Sequence, residues 1–234
     1  MRNLTPTKVL LYMAYLMLII TAAFLPKTYM QIALPIVLST LIVNYVTNNK
    51  NINIYFVLGL VALMFSNYFT YVDIIIHFPK ICIFVSIFLI MSCLSLKDYL
   101  SEIKLKWSKL ISWSLIISLS LILYLVFSIS ELVLHKLPGS IPYIVLSVIT
   151  LLAYISISYY IYISDMYING IKLLFAACFF IVIICLVPIN ELYYPNRIFL
   201  VFGNLGHLLG LYVFSAFLKE SDPVVSISKV AKYV

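Results

Sequence analysis

Apolar runs of roughly 18 residues or more, long enough to cross the hydrocarbon core of a bilayer, recur from one end of this chain to the other. No polar stretch of a size to fold alone in water separates them. Polar punctuation divides the runs into eight predicted helices. They lie near Lys8–Leu25, Tyr29–Val46, Ile52–Val72, Ile74–Leu96, Leu110–Ile129, Ile141–Ile163, Ile171–Val187 and Ile198–Leu218. Composition agrees: of 234 residues, 65% are hydrophobic and 10% charged, and the mean hydropathy is +1.14, a mix outside the ordinary soluble range. The expectation is an all-α, polytopic transmembrane helix bundle forming a single domain over 1–234.

The first run, Val9 to Leu25, ends in Pro26-Lys27 without a small-residue cleavage site, so it reads as a retained helix rather than a signal peptide. Cys82, Cys93, Cys178 and Cys185 lie inside apolar runs without metal-like spacing, and buried, reduced thiols are expected. Neither a metal nor a cofactor is anticipated. A net charge of +7 and a pI near 9.1 suit attraction to anionic lipid headgroups. A nucleic-acid partner would need a basic face on a soluble surface.

Lys and Arg are retained preferentially on the cytoplasmic side of short loops, so the 15 basic residues test the helix count. With eight helices, one side carries Arg2, Lys8, Lys50, Lys97, Lys104, Lys106, Lys109, Lys172, Lys219, Lys229 and Lys232, and the other only Lys27, Lys80, Lys136 and Arg197. A seven-helix or nine-helix division would mix the two sets. Both termini are therefore expected inside, with 97–109 as a cytoplasmic basic loop and 219–234 as a cytoplasmic tail. Leu100, Ile103, Trp107 and Leu110 fall at helical spacing in that loop. It reads either as a short helix on the membrane surface or as a solvated loop with an interfacial Trp anchor. No internal repeat is visible, and the inverted-repeat signature of many secondary transporters is missing.

Intramembrane polar residues are where function should show, because lipid offers them no partner. The third helix sets Gly59, Ala62, Ser66 and Thr70 on one small-residue face with Asn67 beside it. Such a face packs closely on a neighbour, and the Asn67 amide can either join two helices or line a polar cavity. The last helix carries Gly203-Asn204-Leu205-Gly206-His207, with Gly206 and Gly210 as a close-packing GxxxG pair. Asn204 and His207 share a face. A histidine there is either a satisfied structural residue or a donor and acceptor for a hydrogen-bond relay or a lipid headgroup. Ser66, Asn67, Asn204 and His207 are the candidate ligand-binding residues, and Gly59, Ala62, Gly203, Gly206 and Gly210 the candidate packing residues.

The sixth helix is rich in hydroxyls, among them Tyr143, Tyr154, Ser158 and Tyr162, and leads to Asp165. Its tyrosines read as interfacial anchors and Asp165 as a cap for the seventh helix. His77, His135, Glu131, Asp73 and Glu191 map to outer connections, where solvation accounts for them. No two His, Cys or carboxylate residues show a ligand-like or triad-like spacing.

Eight hydrophobic helices in this length, a glycine-containing third helix ending in a polar pair and a polar last helix resemble the YhhN-like lysoplasmalogenase family. Ser66-Asn67 stands where that family typically has Gly-Asp, and Gly203-Asn204-Leu205-Gly206-His207 is similar in position to a Tyr-Tyr-Leu-Ala-Gln-like stretch. A Ser-Asp signature belongs deep in the seventh helix, but Ser164-Asp165 falls at the helix start and Ala177-Cys178 holds the expected depth. Cleaving a vinyl ether requires proton delivery to carbon and attack of water, work suited to a carboxyl pair. Asn67 cannot supply that proton. The resemblance thus implies an inherited fold and a lipid-sized cavity with the hydrolytic activity lost or altered.

Two readings follow. One is a non-catalytic subunit or scaffold of a membrane complex, with membrane lipids and other membrane proteins as partners. The other is a lipid-active hydrolase with an altered active site, its candidates being Asn67, Asp165 and His207 as reacting groups with Asn204 beside them. A bacterial cytoplasmic membrane is the expected location.

Overall fold

The computed structural model describes residues 5–49, 51–101, 103, 113–167 and 169–221, and side chains at all of these except 113–116. The helices are α1 (Pro6–Phe24), α2 (Met30–Asn48), α3 (Ile54–Ser95), the short α4 (Lys97–Ser101), α5 (Trp113–Lys136), α6 (Ile141–Ile163), α7 (Gly170–Leu192) and α8 (Arg197–Glu220). Single 3-10 turns at Lys27–Tyr29 and Pro138–Ser140 lead into α2 and α6. Among the described residues, seven helices are long and apolar enough to cross a membrane.

One of the seven is broken and folded on itself. A straight helix of the 42 residues in α3 would be about 63 Å long at ~1.5 Å per residue, roughly twice the hydrocarbon core. Instead the backbone leaves helical geometry at Asp73 (φ −164°, ψ 106°). The Asp73 carboxylate accepts hydrogen bonds from the Ile75 and Ile76 amides at 2.9 and 3.0 Å, the geometry of a helix N-cap. The two limbs, 54–72 and 74–95, then run back along each other. Asn53, which caps the first limb through the Tyr55 and Phe56 amides, donates its side-chain amide to the Ser95 carbonyl at 2.9 Å. Gly59 faces Met91 and Phe88, and the Phe65 and Phe84 rings stack at 5.4 Å. Asp73 is thus a structural cap and not simply a solvated loop residue.

The helices close into a ring in the order α1, α2, α3, α6, α7, α8 and back to α1, with α7–α8 the most extensive pair. α5 packs on α7 and more thinly on α6, and turns a broad apolar face outward at Ile117, Leu121, Tyr124 and Phe127. In lipid such a face is already in its preferred solvent. The centre is filled by Phe56, Leu60, Leu89, Tyr154, Phe180, Leu211 and Phe214.

Polar contacts stitch the two ends of the bundle. At one end Lys172 pairs with Glu220 at 2.5 Å, Asn48 donates to Thr7, and Tyr167 donates to the Tyr99 carbonyl. At the other Lys27 pairs with Glu191, Arg197 donates to the Ala23 carbonyl at 3.1 Å, and Tyr193 donates to the Leu132 carbonyl at 2.6 Å. Both sets join residues from the same side of the charge division.

Several expectations are corrected. α5 and α7 run on to Lys136 and Leu192, past the expected ends at Ile129 and Val187, because a helix stays hydrogen-bonded after its sequence turns polar. Asn169 occupies the N-cap position of α7, not Asp165, which adopts a left-handed conformation (φ 53°) in the connection. Tyr154 is no interfacial anchor: its ring is buried at mid-bundle, 5.6 Å from Phe180 and 5.8 Å from Phe214. All four cysteines are free, but Cys178 is exposed on an apolar face and only Cys82 and Cys185 are fully buried. Of the 97–109 segment, α4 docks Tyr99 and Leu100 against the core. Trp107 and Leu110, like the tail from 222 onward, lie outside the described residues.

Candidate functional site

A cavity of about 180 Å³ opens inside the bundle, toward the end that carries Lys27 and Glu191. Both limbs of α3 line it together with α5, α6, α7 and α8. On α7 its lining runs from Phe180 to Glu191, a depth of about 16 Å at ~1.5 Å per residue. That is near half of the ~30 Å hydrocarbon core. Most of the wall is aliphatic or aromatic, including Leu63, Phe78, Ile81, Val85, Ile129, Val148 and Ile184.

Four predicted residues from two helices meet here. Ser66 and Asn67 on the first limb of α3, and Asn204 and His207 on α8, all line the cavity. Asn204 is buried and donates to the Tyr71 hydroxyl at 3.2 Å and to the Leu200 carbonyl at 2.7 Å, so it joins α8 to α3. Asn67 does not take the helix-joining role: its amide nitrogen is buried without a hydrogen-bond partner among the described residues. His207 is buried, 7% exposed, on the cavity wall. Asp165 does not line the cavity, and lies beyond the far end of α6 from the lining residues Ile144, Ser147, Val148 and Leu151.

The packing glycines bring these elements together. A Cβ on Gly210 would stand 3.0 Å from the Phe179 Cβ and 3.1 Å from the Phe180 ring, whereas one on Gly206 would meet Phe179 at an ordinary 3.6 Å. Gly203, which lines the cavity, is 3.5 Å from Leu186 by the same measure. Gly59 seats the first limb on the second, and Ala62, Ser66 and Thr70 are buried along the same face.

The mouth holds residues that sequence reading assigned to solvent or passed over. Glu191, expected to be solvated, has a side chain only 3% exposed and is ion-paired with Lys27. Asn190 donates to the same carboxylate at 3.0 Å while its carbonyl oxygen accepts from the Asn196 amide at 2.9 Å. The Lys27 ammonium lies 5.9 Å from the centre of the Tyr71 ring, and Gln31 donates to the Tyr71 carbonyl at 2.8 Å. Tyr71 was legible in principle, one helical turn beyond Asn67 on its face. Lys27 and Glu191 are 164 positions apart, and no local pattern announces their pairing.

The site is an apolar chamber with two amides and one imidazole on its α3 and α8 walls, and an ion pair at its rim. Among the described residues, no group of three or more His, Cys, Asp or Glu is placed to hold a metal ion. Comparisons with protein-family models, curated proteins and solved structures find no match to this chain. Fold and site together define the class: a helical, multi-pass integral membrane protein with an internal, one-ended cavity.

Proposed function

We propose that the chain is a non-catalytic binding subunit of eight membrane crossings, with both termini inside, a YhhN-like bundle and a cavity that holds one chain of an amphiphilic lipid. The observation that carries this reading is the shape and lining of the cavity, half a bilayer deep and mostly apolar, with a few polar side chains on its α3 and α8 walls and a carboxylate at its mouth. Asn67 stands where the resemblance puts a carboxylate, which argues for binding without hydrolysis. Counting the two limbs of α3 as separate crossings gives the eight.

The test is the lipid retained by purified full-length protein in nanodiscs. Filling the cavity wall with Val148→Trp should lower the lipid bound per protein by half or more while the helical content stays the same. Equal retention by the two proteins would exclude the reading. The hydrolase alternative draws on one observation, that a buried carboxylate, Glu191, lines the same cavity as His207. It requires release of fatty aldehyde from lysoplasmalogen that His207→Ala abolishes.

A further inference from the structure

The Glu191 carboxylate lines both the deep cavity and a second, outer hollow of about 200 Å³ bounded by Lys27, Asn196 and Arg197. It is the meeting point of ligand space and the outside. Its side chain is almost wholly buried and is held by the Asn190 amide. A buried carboxylate requires a cation, and the one supplied here comes from an unusual place. Lys27 sits on a three-residue 3-10 turn between α1 and α2, and its side chain is 48% exposed. The anion is buried; the cation reaches it from the surface.

The aromatic partner sharpens the point. The Lys27 ammonium is paired to Glu191 and also faces the Tyr71 ring at 5.9 Å, within the range of a cation–π contact. Tyr71 is buried and fixed by Asn204 at its hydroxyl and Gln31 at its carbonyl. A rigid carboxylate and a rigid aromatic face converging on one ammonium are the chemistry that recognises ammonium groups in general.

We infer that Glu191 and Tyr71 form a recognition site for the ammonium group of a ligand whose apolar chain enters the cavity, with Lys27 the tethered cation that the ligand displaces. This rests on the amphiphile-binding reading above and adds the chemistry of the head. When the ligand binds, its ammonium replaces Lys27 against the carboxylate and the lysine swings into water, so no buried charge is left uncompensated. Lys27 acts as an intramolecular competitor at the high effective concentration of a short tether. The ammonium can belong to a zwitterionic lipid headgroup or to a free amphiphilic amine.

Cys82, free, buried and lining the cavity, supplies the readout. The full chain with Cys93, Cys178 and Cys185 changed to Ala is placed in nanodiscs, and alkylation of Cys82 by N-ethylmaleimide is timed. The probes are dodecyltrimethylammonium, dodecyl phosphate and lysophosphatidylcholine. The cationic probe should slow alkylation at about tenfold lower concentration than the anionic one, the scale of a close, buried charge pair. Glu191→Gln should erase that preference, and Lys27→Met should strengthen protection by the cation several-fold. Protection by lysophosphatidylcholine assigns the ammonium to a lipid headgroup; protection by the simple cation alone assigns it to free amines. Equal protection by cation and anion, or a preference that survives Glu191→Gln, overturns the inference and leaves amphiphile binding intact. If no probe slows alkylation, the amphiphile-binding reading itself fails. Should Lys27→Met not fold because it strands a buried carboxylate, the Glu191→Gln comparison decides alone.

Discussion

The two glycines of the α8 GxxxG pair look equivalent in sequence and are not equivalent in the fold. A methyl group on Gly210 would press the Phe179 Cβ at 3.0 Å, tighter than ordinary contact, and that atom yields only if its helix shifts by a few tenths of an ångström. Gly206 leaves ordinary van der Waals space. Gly210→Ala should therefore lower stability by about 1–3 kcal/mol, the usual cost of overpacking, while Gly206→Ala should stay within about 0.5 kcal/mol. Thermal unfolding of the two variants in detergent decides it, and equal losses would refute the packing described here. The same contrast marks what single residues disclose. Small size and helical spacing made the faces of Gly59 and Gly210 legible, because close packing demands them wherever helices cross. Which glycine touches the neighbour depends on the rotation of α7, and no residue of α8 encodes that. Glu191 failed to show for a related reason: a carboxylate at a helix end is solvated unless something covers it, and here the cover is a turn on the far side of the sequence.

At the scale of elements, the membrane-length helices were legible because hydropathy measures the very property that lipid selects. The break at Asp73 was legible too, as a lone acid between two apolar runs. Hydropathy could not show that the limbs fold back on one another, which depends on Asn53 reaching Ser95 and on Gly59 accepting Met91. A cysteine pair tests that hairpin directly. A Cβ at position 59 would stand 3.3 Å from the Met91 Cβ, close to the ~3.8 Å mean across a disulfide. In a straight helix the 32 intervening rises would hold these positions about 48 Å apart. In a cysteine-free background, the double variant Gly59→Cys and Met91→Cys should oxidise to an intramolecular cross-link, detected as a linked peptide pair by mass spectrometry. Persistent free thiols under oxidant would exclude the hairpin.

For the whole molecule, the hairpin decides how the ends of the chain sit relative to the bilayer. If α3 crosses once, the connections before and after it lie on opposite faces; if each limb crosses, as proposed, both lie on one face. The division of basic residues into eleven and four then favours that face as the cytoplasmic one, because positively charged loops resist translocation. The clusters at the two ends of the bundle agree with this division, Lys172 meeting Glu220 at one end and Lys27 meeting Glu191 at the other. Single cysteines at positions 51, 97 and 194, introduced as Asn51→Cys, Lys97→Cys and Tyr194→Cys in the cysteine-free protein, separate the alternatives. A membrane-impermeant maleimide should label position 194 in intact cells and label 51 and 97 only after permeabilisation. Labelling of 51 and 97 from opposite sides would reduce the crossings to seven and undo the division of charges. Labelling of both in intact cells, with 194 protected, would keep eight crossings and reverse the orientation, turning the mouth of the cavity and the Lys27–Glu191 pair toward the cytoplasm.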